Sequence, residues 1–92
     1  MDFTIQKPEI SIEELAQQIG YEPQFTDDSY IRPVAENKKF HLFVETQEDK
    51  LKFKLHLDKN DGEDHDCEYE SERITKEVNR IKEIIFKDIF NK

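Results

Sequence analysis

Phe40-His41-Leu42-Phe43-Val44-Glu45 and, past a short polar break, Leu51-Lys52-Phe53-Lys54-Leu55-His56-Leu57-Asp58 decide the architecture of this chain. Apolar and polar residues alternate throughout the second run, which is the period of a strand with one buried face. Leu51, Phe53, Leu55 and Leu57 therefore take the inner side, and Lys52, Lys54, His56 and Asp58 the outer one. A loop of Thr46 to Asp49 would pair Glu45 with Lys50, setting Val44 against Leu51, Leu42 against Phe53 and Phe40 against Leu55. Both apolar rows then share one face. The opposite face carries Lys39, His41, Phe43, Lys52, Lys54 and His56.

Upstream of the hairpin, Tyr30 to Val34 reads as a strand, kept to a sheet edge by Pro33, and the short link Ala35-Glu36-Asn37-Lys38 joins it antiparallel. Tyr21 to Ser29 reads as loop, from Pro23 and the Asp27-Asp28-Ser29 cluster. Before it, Ser11-Ile12-Glu13-Glu14 has the form of a capping box. The helix it opens turns Ile12, Leu15, Ala16 and Ile19 inward, and Gly20 closes it in the left-handed conformation. Phe3 and Ile5 alternate with polar residues ahead of Pro8, which allows an extra N-terminal edge strand. Downstream, Lys59 to Asp66 reads as a polar, acidic loop around Gly62, and a helix runs from about Glu68 to Phe90 on a stripe of Ile74, Val78, Ile81, Ile85 and Ile89. Phe86 and Phe90 widen that stripe and offer a homodimer contact.

The expected fold is thus α+β, in the order α-β-β-β-α, a three-stranded antiparallel meander with both helices on one face. Ninety-two residues make a single domain over 1–92 with a small core, to which seven Phe and three Tyr contribute large buried surfaces. The net charge of -8 disfavours nucleic acid and anionic membrane as partners. One cysteine, no signal peptide, no apolar run near the ~20 residues of a membrane span and no lipidation motif make a reducing cytoplasm the expected compartment. The charge is uneven. Residues 58 to 72 hold eight acids against Lys59 alone, whereas residues 38 to 54 hold five lysines against three acids, so one sheet face is mildly basic.

Three chemistries are open to the histidines, the cysteine and the acids around them. His56, Asp58, His65 and Cys67 offer N, O, N and S donors that suit a borderline metal such as zinc, although His-x-Asp and His-x-Cys are not the spacings of familiar structural zinc sites. The stretch Asp58 to Asp64 fails as a calcium loop, because setting Gly62 sixth puts Leu57 first and Lys59 third, where oxygen ligands belong. Cys67 with His65 makes a poor nucleophile, since Asp61, Glu63, Asp64, Asp66 and Glu68 all oppose the thiolate. A catalytic role is therefore disfavoured. A binding role fits better: Phe43, ringed by Lys39, His41, Lys52, Lys54 and His56, suits an acidic peptide or a base-stacking ligand, and the carboxylates of Glu63, Asp64, Asp66, Glu68, Glu70 and Glu72 suit the basic nucleic-acid site of another protein. A non-enzymatic protein-interaction domain is the leading expectation, and a metal-binding domain the alternative.

Two resemblances bear on this. The order α-β-β-β-α is that of double-stranded RNA-binding domains, but their lysine-rich cluster at the start of the second helix is replaced here by Glu70-Ser71-Glu72-Arg73-Ile74-Thr75-Lys76-Glu77. The phrases Phe40-His41-Leu42-Phe43, Leu55-His56-Leu57-Asp58 and His65-Asp66-Cys67-Glu68-Tyr69 together resemble a group of small bacterial proteins with no assigned activity, so that likeness implies none.

Overall fold

In the computed structural model the described residues are 1–24, 29–61, 64–68 and 70–90, with backbone alone for 60, 61 and 64–68. The elements in chain order are β1 (Asp2–Gln6), α1 (Ile12–Gln18), β2 (Glu22–Gln24), β3 (Ser29–Ala35), β4 (Lys38–Thr46), β5 (Lys50–Asp61), β6 (Asp64–Glu68) and α2 (Glu72–Ile84). A π-helical segment, Ile85–Phe90, continues α2. All pairings are antiparallel. The sheet runs β1-β5-β4-β3-β2, with β6 added beside β5. β5 is the hub: β4 lies along one side, while the other side is shared by β1, at Lys50 to Lys54, and β6, at Leu57 to Asp61.

The α+β class and the N-terminal strand agree with expectation, but the sheet is larger than a three-stranded meander. Part of the presumed loop after Gly20 is β2, which pairs Glu22 to Gln24 with Ile31 to Ser29. The acidic stretch after Asp58 continues β5 and returns as β6, because pairing with β4 and β6 outweighs the weak strand preference of Asp and Asn. The second helix consequently starts at Glu72, not near Glu68. Its cap is Ser71, whose hydroxyl accepts from the Ile74 amide at 3.3 Å. Pro33 sits past the reach of β2, beside a register irregularity between Pro33 and Ala35, where its missing N–H costs no ladder bond.

The hairpin register differs from the expected one by two residues. Thr46 pairs with Leu51, Val44 with Phe53, Leu42 with Leu55 and Phe40 with Leu57, because Gln47 closes a tighter turn through its N–H to the Lys50 carbonyl. An even shift leaves every side chain on its face. Phe40, Leu42, Leu51, Phe53, Leu55 and Leu57 are buried on the inner side with Phe3 and Ile5 of β1, whose Phe3 ring stacks on Phe53 at 4.9 Å.

Both helices contribute to that one core, through Leu15, Ala16 and Ile19 and through Ile74, Val78, Ile81 and Ile85. α1 is punctuated as its sequence suggests. Ser11 accepts from the Glu14 amide at 3.2 Å, and at the other end Gly20 has φ +87. The Gly20 and Tyr21 amides donate back to the Gln17 and Ala16 carbonyls, as in a Schellman motif. Tyr21 then enters the core and donates its hydroxyl to Glu77 at 2.6 Å. The Glu77 carboxylate, buried in α2, also accepts from Arg80 at 2.7 and 2.9 Å and from Arg32 at 3.3 Å. Burial, then the carboxylate itself, pushes the Tyr21 phenol far above its ordinary range, so it remains a donor. No described helix is long and apolar enough to cross a membrane.

Candidate metal centre on the outer sheet face

The observed register brings His41 opposite His56 and Lys39 opposite Asp58, all on the outer face. On the far side of β4, Ser29 of β3 lies opposite Phe43. These alternations converge on Asp58. Its Oδ1 lies 2.9 Å from His56 Nε2, and its Oδ2 lies 3.3 Å from His41 Nδ1. One ligand atom from each of His41, His56 and Asp58 fits within a span of 4.8 Å. The other nitrogen of His41, Nε2, lies 2.6 Å from the Ser29 hydroxyl, which donates onward to Gln24 Oε1 at 3.2 Å.

Packing holds the rings in place. Phe43 lies over both imidazoles, with centroids 4.5 Å from His41 and 5.7 Å from His56, and the two imidazoles are 4.9 Å apart. Both histidine side chains are largely covered, at 12% and 16% exposed, and Asp58 retains 25%. Burial holds His56 below the usual histidine range; Asp58 opposes that shift, while His41 and the amino terminus add to it. His56 is accordingly neutral at pH 7, the form that binds metals. Asp58 also borders a groove of about 300 Å³ lined by Pro33, Lys38 and Lys39 among others, which leaves its carboxylate within reach of small solutes.

Two proton arrangements satisfy this chain of contacts. In one, Ser29 gives its single proton to His41 Nε2 instead of Gln24, whose amide must then turn its N–H toward the hydroxyl, and Nδ1–H donates to Asp58, the order of a serine-histidine-aspartate relay. Nucleophilic use of it is ruled out by burial, because Ser29 is 2% exposed and its oxygen cannot meet a substrate carbonyl. In the other, Ser29 donates to Gln24 and accepts from Nε2–H, which turns the Nδ1 lone pair toward a carboxylate oxygen 3.3 Å away. Two acceptors at that distance repel unless a cation lies between them, either a proton or a metal. Metal–nitrogen and metal–oxygen bonds of 2.0–2.2 Å around a tetrahedral ion place ligand atoms about 3.3 Å apart, close to the two nitrogen–oxygen distances at Asp58. Ser29 is then the outer partner that fixes the tautomer of a ligating histidine.

Of the four residues expected to bind metal, His56 and Asp58 come together. The side chains of His65 and Cys67 lie outside the described residues; their backbones pair with Asn60 and Asp58. Among the residues expected to form a binding face, His41, Phe43 and His56 form one ring cluster. Lys39 sits opposite Asp58, Lys54 opposite Phe43 and Lys52 opposite Glu45. The Phe43 ring is a wall for the imidazoles and only half-exposed. His41 as a ligand and Ser29 as its support were missed by sequence reasoning. The exchange of partners is register-dependent, and Ser29 carries no periodic signal at the end of an expected loop. Comparison with known proteins returns no matching family model and no significant match among curated proteins or solved structures.

Proposed function

We propose that this chain is a metal-binding domain of the zinc class, with His41, His56 and Asp58 as its protein ligands. The convergence of two imidazole nitrogens on one Asp58 carboxylate is the observation that carries this reading. Two nitrogen donors and one oxygen suit a borderline divalent ion better than calcium or magnesium, which prefer all-oxygen shells. Three ligands from the protein leave at least one coordination position for water or an anionic ligand, the arrangement of open zinc sites. The lysines of the same face, Lys39, Lys52 and Lys54, favour anions there. The reading as a protein-interaction domain draws its support from a different place, the exposed Phe86 and Phe90 at the end of the last helix.

A zinc titration followed by thermal melting tests the proposal. Zinc should raise the melting temperature of the wild type and leave Asp58→Asn unmoved, because the amide keeps the shape but loses the charge that offsets the ion. An identical shift in both proteins, or none in the wild type, would reject these ligands.

A further inference from the structure

The open ends of the sheet are finished in different ways. At one end, β2 is three residues long and contains Pro23, and the part of β3 that it leaves uncovered carries Pro33 and the register irregularity after it. Such devices turn away an additional strand. Among the described residues β1 is the least guarded: from Asp2 to Gln6 its one charge is at the first position, and it holds no proline, no lysine and no break in its pairing with β5.

The hydrogen bonds of β1 show which groups face outward. Met1 and Leu55 exchange both backbone bonds, and the Lys7 amide donates to Asp49, so the odd-numbered residues direct their polar groups at β5. Antiparallel alternation then directs the N–H and C=O of Asp2, Thr4 and Gln6 to the open edge. Beside that edge, on the helix side of the sheet, Phe86 is 61% and Phe90 37% exposed, with ring centroids 6.1 Å apart. Together with Thr4, Ile5, Gln6 and Lys82 they line a groove of about 570 Å³. Phe86 and Phe90 each lie one residue past a member of the isoleucine stripe, Ile85 and Ile89, and so stand to its side.

We infer that a second copy of this chain occupies this edge, the two β1 strands pairing antiparallel about a two-fold axis at Thr4. The strand is self-complementary in that register. Thr4 faces Thr4 of the second copy, Phe3 faces Ile5, and Asp2 faces Gln6, so favourable threonine and aromatic–aliphatic pairs form and no like charges meet between Asp2 and Gln6 of the two strands. The residues whose polar groups point outward are those that become hydrogen-bonded pairs. Because opposed residues of an antiparallel pair point to one side, the operation also sets both Phe86/Phe90 grooves on the same side of a continuous sheet, flanking the seam. This inference is independent of the metal centre, which occupies the other face of the sheet.

Sedimentation velocity across the micromolar range, with hydrogen–deuterium exchange on the same samples, tests it. The wild type should form a concentration-dependent dimer, and its Thr4 and Gln6 amides should exchange more slowly as the dimer forms. Thr4→Pro removes an outward N–H that β5 does not use, so it should raise the dissociation constant about tenfold or more with an unchanged circular dichroism spectrum. Phe86→Ser with Phe90→Ser should weaken the dimer as well. Should Thr4→Pro not fold, the wild-type exchange pattern decides alone. A monomer at all concentrations would overturn the inference, as would a dimer whose Thr4 amide exchanges at a concentration-independent rate, including the case in which that edge serves an extended peptide of another protein.

Discussion

His41 Nδ1 lies 3.3 Å from Oδ2 of Asp58, although the residue paired with Asp58 across the strands is Lys39. The contact is a diagonal one on the outer face, two positions along β4 from the direct partner. It joins the second histidine to a carboxylate already engaged by His56 and completes a set of three donors.

Acid should weaken the metal-free fold through His56. Its pKa is lowered on folding, mainly by burial, so below the unfolded-state value of ~6.5 the unfolded chain binds more protons than the folded one. Stability contributed by the neutral imidazole is full above that pH and is lost as pH falls through the folded value. Urea melts at a series of pH values in chelator should show this decline, and His56→Gln should flatten it. A stability that rises on acidification through this window would reverse the sign.

The buried carboxylate of Glu77 should be costly to remove. Glu77→Ala leaves Arg32 and Arg80 facing each other without their common partner, and the expected loss is about 3 kcal/mol, at the low end for a broken buried pair because both guanidiniums are one-third exposed. Tyr21→Phe removes only the hydroxyl donor and should lose about 1.5 kcal/mol. Equal effects of the two substitutions in urea melts would mean that the arginines find other partners.

The two faces of β4 and β5 should respond differently to truncation. Phe53→Ala opens a cavity under a fully buried ring stacked on Phe3 and should lose about 3 to 5 kcal/mol. Phe43→Ala removes a half-exposed ring and should lose distinctly less, while loosening His41 and His56. Equal losses would show that the outer face is packed as tightly as the core.

The faces of the hairpin were legible because alternation survives any even error in register. Val44 was expected opposite Leu51 and is found opposite Phe53, yet Leu42, Leu55 and Leu57 are inside in either arrangement. The site was less forgiving. Under the expected register His41 faces Lys54, and the two-residue difference is what sets it beside His56 and within reach of Asp58. The turn at Gln47 to Lys50 decides that register, and its polar residues fit both a tight and a wider loop. The strand character of the acidic stretch was hidden for another reason. Asp and Asn disfavour strands on their own, and here pairing with β4 and β6 prevails. The helix boundaries at Ser11 and Gly20 were readable from sequence because caps are local chemistry.

Native mass spectrometry of the untagged protein with zinc, for the wild type and His41→Ala, tests the central claim most directly. His41 distinguishes this site from any zinc set built without it, and alanine in place of a largely covered outer-face ring leaves the core side chains intact. One zinc per chain in the wild type, with binding lost or weakened about a hundredfold in His41→Ala, is the predicted result. No bound zinc in the wild type, or full occupancy retained without His41, would contradict it.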